Sequence, residues 1–440
     1  MDKLKSKILK KIIFPIGDLV MKTKLIYYYN KIKRMEGWSS EKIENWQNTE
    51  LSKLVNYAYV NSVYYRELFD KLEIKPRDIK SKSDLDRIPV MTREIYIENF
   101  EKLISKEINS IPHKRSTTGG TTATPMTYVM DSRAWSFTNA DYIVNWERTK
   151  YNFGNKYIAL GSTSIFAGKP KPLKHKIFYI LKNKIPLNGM NINEEILKEY
   201  VNLIEKKDIR FIYGYASSIF LLAKYVIKNN LSLKIEGCFP TSEILSDLYR
   251  KTILEAFNCK IVNCYGAHDG GITAFEHNEG IFEVGYNTIV SIQNTKDGKD
   301  SKGPILLTNL LNYAMPVFNY QLGDEVKLNY NYKNYNGQVI GKVYGRISDM
   351  IRLENGYTLT GHSFWDQLFE IPIQAWNLEK KGKNTLLCKI IKQDDYKNSH
   401  EKILIEKLKE YAGPGSQVEV EYFDNFELTK SGKRKYYLNG

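Results

Sequence analysis

Several short groups of residues in this 440-residue chain carry side chains suited to phosphate and carboxylate chemistry. Thr118-Gly119-Gly120-Thr121-Thr122-Ala123-Thr124-Pro125, shortly after Lys114-Arg115, sets two glycines and four threonines in eight residues. Glycine admits positive φ and leaves no Cβ in a ligand's way. Threonine hydroxyls and backbone N–H groups can then face one anion together. The loop is not of the Walker type, since no Gly-Lys-Ser/Thr follows, and a solvated turn has the same composition. Tyr265-Gly266-Ala267-His268-Asp269-Gly270-Gly271 offers a flat face for a base and a hard oxygen ligand for Mg²⁺. Gly323-Asp324 offers a carboxylate that could accept from two ribose hydroxyls. Gly345-Arg346-Ile347-Ser348-Asp349 and Ser431-Gly432-Lys433 add cations nearer the C-terminus. Singly, Asp324 and Asp349 are ordinary turn residues and Lys433 an ordinary solvated lysine.

The elements that must hold these groups alternate in an α/β manner. Residues 40–110 read mostly as helices, one of them capped by Ser40 with apolar positions at Ile43, Trp46, Leu51, Leu54, Val55 and Ala58. Another starts near Thr92. Strands are predicted at Met126–Met130, Tyr157–Gly161, Ile209–Tyr213, Gly237–Pro240 and Lys260–Tyr265. Helices are predicted at Ala134–Glu147, Ser217–Lys228 (capped by Ser217 or Ser218) and Leu245–Phe257, and an irregular Pro- and Lys-rich stretch reaches to about Pro186. Such short apolar strands between helices are the pattern of a buried parallel sheet, whose ligands usually sit at the strands' carboxyl ends. From Ile281 the pattern turns to strands: Phe282–Tyr286, Ile305–Leu310, Val317–Tyr320, Glu325–Leu328 and Val339–Tyr344. Gly345 to Gly440 holds a helix at His400–Tyr411 and a strand at Val418–Tyr422.

Composition narrows the class. The length calls for one large and one smaller domain. A net charge of +15 favours anionic partners, but the lysines are dispersed and no nucleic-acid module is present. Four cysteines make no disulfide framework and fit a reducing cytoplasm. Cys259, Cys264, His268 and His277 match no common zinc spacing, so buried thiols are the expected reading. The apolar run Ile12–Tyr29 is interrupted by Pro15, Asp18, Lys22 and Lys24, and so does not read as a membrane span. With its lysine-rich flanks it suits either a helix packed on the main domain or an amphipathic segment resting on an anionic leaflet.

The order of the motifs is the informative part: Gly/Thr loop, Tyr-Gly-x-x-acid, Gly-Asp, Gly-Arg-x-x-Asp and Ser-Gly-Lys. That order resembles the adenylate-forming superfamily of acyl-CoA synthetases, peptide-synthetase adenylation domains and luciferases. Leu54-Val55-Asn56-Tyr57-Ala58, Val63-Tyr64-Tyr65-Arg66, Asp84-Leu85 and Ile88-Pro89-Val90-Met91-Thr92-Arg93 resemble the phenylacetate–CoA ligase family, nearest its capsular-polysaccharide branch, from about residue 40 onward. The basic N-terminus ahead of Gly37-Trp38 is also similar to that branch.

The resemblance implies a large N-terminal domain of mixed sheets and helices over 1–344, with 1–36 a basic segment, and a small mobile α+β domain over 345–440. It implies that Thr118, Gly119, Gly120, Thr121 and Thr122 hold ATP phosphates, with Tyr265 against the adenine and Gly266 and His268 also among the cofactor-binding residues. Asp269 would bind Mg²⁺ where the family has glutamate, Asp324 would bind ribose with Arg346 nearby, Ser348 would lie near the hinge, and Lys433 would reach the carboxylate and α-phosphate. Ala123, Thr124 and Asp269 depart from the family pattern, and His268 is expected as a packed histidine. The expected activity is ATP-dependent acyl-adenylate formation with transfer to a thiol such as coenzyme A. The alternatives are an amide ligase that acylates an amino sugar or amine, and a non-catalytic membrane-associated assembly factor. A homodimer is compatible with the resemblance. Acyl-pocket candidates are Tyr213-Gly214-Tyr215 and Thr241-Ser242-Glu243.

Overall fold

The structure, a computed structural model, describes residues 8–117, 126–161, 183–189, 192–267, 269–278, 280–293, 302–347, 350–355, 357–360, 371–393, 395–424 and 437–439. The Gly/Thr loop, His268, Ser348, Asp349 and Lys433 lie outside them.

Twelve strands form the main sheet. In spatial order its parallel half runs Lys184–Asn188, Tyr157–Gly161, Phe211–Tyr215, Gly237–Thr241 and Asn263–Ala267. The short strand Lys260–Ile261 also pairs with Gly237–Thr241. The sheet then turns antiparallel through Ile272–Asn278 and Ile281–Val284. Val339–Arg346, Tyr320–Leu328, Lys302–Asn309 and Thr288–Ile292 complete it. The parallel strand Gly237–Thr241 is wholly buried, which is why it reads as a short run without polar alternation.

Six sequence expectations are corrected in detail. The predicted strand Lys260–Tyr265 is two strands, broken where the Val262 amide donates to the Cys238 carbonyl. Val317–Tyr320 is not a strand of its own. Asn319 has φ of 49° and donates its amide to the Leu85 and Ile88 carbonyls, so the strand begins at Tyr320 and continues through Asp324. The stretch taken as irregular up to Pro186 contains the edge strand Lys184–Asn188. Capping also differs. Ser39, not Ser40, caps the helix Ser40–Asn61. Neither Ser217 nor Ser218 caps Ala216–Lys228: the Ser217 amide donates to Glu243, and the Ser218 hydroxyl donates to the Gly189 carbonyl. Within Ser40–Asn61 the core position expected of Trp46 belongs to Gln47, whose side-chain amide donates to the Tyr286 carbonyl. Trp46 instead lies under the Lys31 ammonium at 4.4 Å.

The helix Glu194–Lys206, capped by Asn193, buries Leu197, Tyr200, Val201 and Ile204, an i, i+3, i+4, i+7 stripe. Near the N-terminus, a π-helical turn at Leu9–Ile13 runs into the helix Phe14–Met21, and Leu25–Met35 packs on Ser132–Trp146.

The described residues divide into two compact units. The first takes in Met1–Ser116, Tyr128–Leu322 and Lys327–Lys342. Its aromatic core stacks Trp146 on Phe239 at 4.4 Å, with Tyr151, Tyr157 and Phe211 around them. The second takes in Thr117–Thr127, Gly323–Val326 and Val343–Gly440. Its four-stranded sheet runs Gln417–Tyr422, Thr385–Lys392, Ile373–Lys380, Tyr437–Asn439. The helix Asn398–Ala412 buries Leu404, Leu408 and Ala412 in a core built around Trp376, Leu378 and Cys388.

Candidate active site

The parallel half aligns its carboxyl ends. Gly161 pairs with Asn188, Tyr215 with Thr241, and Thr241 with Cys264, one residue before Tyr265. The two acyl-pocket candidates therefore end neighbouring strands. Tyr213 itself is partly buried against Tyr142 and Trp146, on the cluster that holds Phe239, so it supports the floor. Glu243 is fixed at the start of the helix Ala216–Lys228 by accepting the Ser217 amide at 2.9 Å. Tyr265 and Gly266 lie in a hairpin opposite Ala274 and Thr273, with Tyr265 edge-on to Phe282.

Asp269 occupies the turn of that hairpin. Its Oδ2 accepts from the Tyr320 hydroxyl at 3.2 Å. Burial first, and the Asp269 charge second, raise the hydroxyl pKa of Tyr320 and of Tyr96. Burial chiefly raises that of Tyr128, with the same carboxylate adding to the effect. The turn is clamped from beneath, because the Gly271 carbonyl accepts from the Asn309 amide at 2.7 Å and the Thr288 hydroxyl at 3.0 Å. Asp269, Gly270, Asn309, Asn312 and Tyr320 line a small cleft there. Among the described residues no three His, Cys, Asp or Glu side chains converge on a metal-sized site. A lone carboxylate still fits Mg²⁺ that arrives with a nucleotide, since that ion keeps waters and takes one or two carboxylates plus substrate phosphates. The four cysteines are buried, and burial pushes the Cys264 thiol up to about 12.

Within the second unit, Asp324 and Arg346 come together, Nε to Oδ1 at 3.9 Å, with the carboxylate nearly buried and the guanidinium half exposed. Gly323 has φ of 88° and open space beside it. Both flanks of the Gly/Thr loop are strands, His113–Thr117 and Thr127–Asp131, paired with each other. Lys114 lies over the Trp135 ring at 4.4 Å, and burial lowers its pKa.

Behind the hairpin runs a buried polar chain. The Thr273 hydroxyl donates to Asp141 at 2.7 Å, the Asn145 amide donates to Asp141 at 3.1 Å, and neutral His277 donates to Asn145 at 2.9 Å. Arg148, bonded to Glu283 at 2.6 Å, closes the chain. Burial lifts the Asp141 carboxyl to about 7, over the opposing hydrogen bonds. Burial, and then Arg148, lower His277 to about 3. The signs are opposite. The folded state holds Asp141's proton that the unfolded chain releases, so this contribution to stability falls as pH rises from about 4 to about 7. The folded state denies His277 a proton that the unfolded chain takes, so that contribution falls as pH drops from about 6.5 to about 3. Each is limited to about 1.4 kcal/mol per pH unit. Asp141→Asn is therefore expected to gain stability relative to the parent as pH rises through 4–7, and His277→Gln to gain as pH falls below about 6.5. Denaturant midpoints across pH check both; parallel curves for parent and variants would refute the assignment.

The comparisons with known proteins fit this geometry. Against solved structures, the chain is similar to 2-hydroxyisobutyryl-CoA ligase in the postadenylation state with 2-HIB-AMP, with a TM-score of 0.69 at 13% identity over 93% of this chain and 92% of that one. O-succinylbenzoate coenzyme A synthetase of Bacillus subtilis, in complex with AMP, gives 0.52 at 12% identity over 73% and 67%. The fold is thus that of the adenylate-forming ligases, a large α/β body with a small C-terminal sheet domain. By sequence, residues 373–440 match the CapK C-terminal domain. The chain is also 24% identical to Protein CapK of Staphylococcus aureus, over 96% of its own length and 95% of that protein's. The motif order pointed to this same capsule-related group.

Of the expected site residues, the structure brings Tyr265, Gly266 and Asp269 together on one hairpin, and Asp324 with Arg346 as one pair. Thr118 through Thr122, His268 and Lys433 lie outside the described residues. The tyrosines facing Asp269 and the asparagines beneath it were not anticipated. Asn309 and Asn312 end an apolar strand run, a signal legible in the sequence, whereas three tyrosines among 32 carry no pattern.

Proposed function

We propose that this chain is an AMP-forming ligase that activates a carboxylic acid with ATP as an acyl-adenylate and passes the acyl group to a thiol such as coenzyme A, in cell-surface polysaccharide synthesis. One observation carries the reading: the fold follows, over nearly its whole length, a ligase described with an acyl-AMP bound, and the chain keeps five motifs in the corresponding order.

In the first step a carboxylate oxygen of the acid attacks the α-phosphorus, the bond from that phosphorus to the bridging oxygen breaks, and pyrophosphate leaves. Anion meets anion, so the chain must supply positive charge and alignment. Thr118, Gly119, Gly120, Thr121 and Thr122 would grip the phosphates through hydroxyl and N–H donors. Tyr265, Gly266 and His268 would border the base, and Asp324, steadied by Arg346, would accept from the ribose hydroxyls. Asp269 would hold Mg²⁺, which supplies charge neutralisation at the phosphates. Lys433, on a C-terminal domain beginning near residue 345, would neutralise charge at the reacting carboxylate and α-phosphate. In the second step the thiolate attacks the acyl carbonyl, the bond from that carbon to the adenylate oxygen breaks, and AMP departs.

ATP–pyrophosphate exchange over a panel of carboxylic acids tests the first step, and no exchange with any acid, alongside no ATP–Mg²⁺ binding, would refute it. Coenzyme A, hydroxylamine and amino sugars offered as acceptors test the second. Asp324→Ala is expected to weaken ATP binding roughly tenfold to a hundredfold, the worth of a charged hydrogen bond. Calorimetry reads this directly, and an unchanged affinity would remove Asp324 from the ribose site.

A further inference from the structure

The segment from Ile8 through Met21 turns its apolar stripe outward. Ile8, Ile12, Ile16, Leu19 and Val20 follow one another at spacings of four, four, three and one along a continuous helical path, with exposures of 44%, 53%, 58%, 81% and 72%. The inward contacts are made by Leu9 and Phe14, the latter edge-on to Phe153 at 4.6 Å. No helix among the described residues is long and apolar enough to cross a membrane. An apolar stripe of this size left in water needs a partner.

The charges around the stripe identify that partner. The first 24 residues hold seven lysines against two aspartates. Lys11, Lys22 and Lys24 are exposed. Asp18, the acid inside the helix, is turned away: its carboxylate accepts from the Thr23 hydroxyl and from the Leu25 and Ile26 amides at 2.6–2.9 Å. That bond set ties the helix end to the next helix, Leu25–Met35, whose Tyr28, Tyr29 and Ile32 are buried. The stripe is thus presented on a braced element, with exposed lysines beside it and the Asp18 carboxylate consumed internally. A protein partner would require only apolar complementarity, whereas exposed lysines beside the stripe, with Asp18 bonded internally, suit a sheet of anionic headgroups over hydrocarbon.

We propose that the outer face of Ile8–Met21 docks this protein, lying in the interface rather than spanning it, on an anionic lipid bilayer. Apolar side chains enter the headgroup boundary, and the lysines hold the helix there by charge. The inference is independent of the ligase reading and survives its failure, because the measurement uses no substrate.

The test is co-sedimentation of the full chain with vesicles of equal parts phosphatidylcholine and phosphatidylglycerol, against vesicles of phosphatidylcholine alone. Binding is expected only to the anionic vesicles, and it should be lost at about 1 M salt, where screening shortens to about 3 Å. The double variant Leu19→Glu, Val20→Glu should bind at least about tenfold more weakly. Leu254→Glu, also an exposed leucine, should bind like the parent. Both changes lie on the surface, and matching thermal midpoints separate loss of docking from loss of fold. Since all four native cysteines are buried, Leu19→Cys can carry an environment-sensitive dye at one site, whose emission should shift to the blue on anionic vesicles. Equal vesicle binding by parent and double variant would overturn the proposal. So would no vesicle binding by the parent, together with a dimer that the double variant breaks, which would give the face to a second copy of the chain.

Discussion

Lys433→Ala is expected to lower pyrophosphate release, measured with the acid that the protein uses, by about 10²–10³-fold, the usual worth of one preorganised group facing charge that develops in flight. The attacking carboxylate and the triphosphate repel each other, and a cation brought to both relieves most where the bond is half made. ATP affinity should stay close to the parent's, because in the proposed role the lysine meets the transition state rather than the resting nucleotide. Lys433→Arg should restore little, since a planar guanidinium does not replace a point charge at a fitted position. Residues 373–440 match the CapK C-terminal domain, and an unchanged thermal midpoint in the variant separates a lost role from a lost fold. Pyrophosphate release at the parent's rate would refute the role and, with it, the proposed first step.

The second large effect concerns the hairpin glycines, where two neighbouring positions should behave oppositely. Gly271 has φ of 67°, and a Cβ there would overlap the side-chain amide of Asn309, the donor that clamps the turn. Gly271→Ala is expected to cost about 2–4 kcal/mol, from the left-handed backbone and the overpacking together. The Asp269 turn would be displaced and adenylation lost with it. Gly266 is exposed, and a Cβ there would meet the Ile272 carbonyl at 3.4 Å and the Tyr142 hydroxyl at 3.5 Å, ordinary contacts. Gly266→Ala should leave the thermal midpoint unchanged, so any weakening of ATP binding in that variant reports a ligand close to the backbone. Denaturant melts and calorimetry on both decide it. Equal stability of Gly271→Ala and the parent would deny the clamp.

The parts of the fold that could be read in advance were those in which burial is two-sided. Gly237–Thr241 and Tyr157–Gly161 are short apolar runs between turn residues, and only a covered parallel strand tolerates that composition. Lys184–Asn188 escaped because an edge strand keeps one flank in water and can carry lysine and proline. Gln47 escaped because periodicity ranks residues by oiliness, whereas the Tyr286 carbonyl wanted a donor. As candidates for the site, Asp269, Asp324 and Arg346 could be named from motif order alone. Their partners could not. Tyr320 meets Asp269 across 51 positions, and the clamp on Gly271 comes from strands 17 and 38 residues away, distances that only the folded sheet closes.

The doubly held Gly271 carbonyl has a consequence for how such a protein can change. A turn tethered to two strands of the sheet is a fixed mounting, so the reach of the acid mounted on it depends on side-chain length alone. In the role proposed for Asp269, aspartate in place of glutamate would alter the distance to a bound ion by one methylene without redrawing the surroundings. The acyl-pocket candidates, at other strand ends, would be free to diversify around an unmoving reference point.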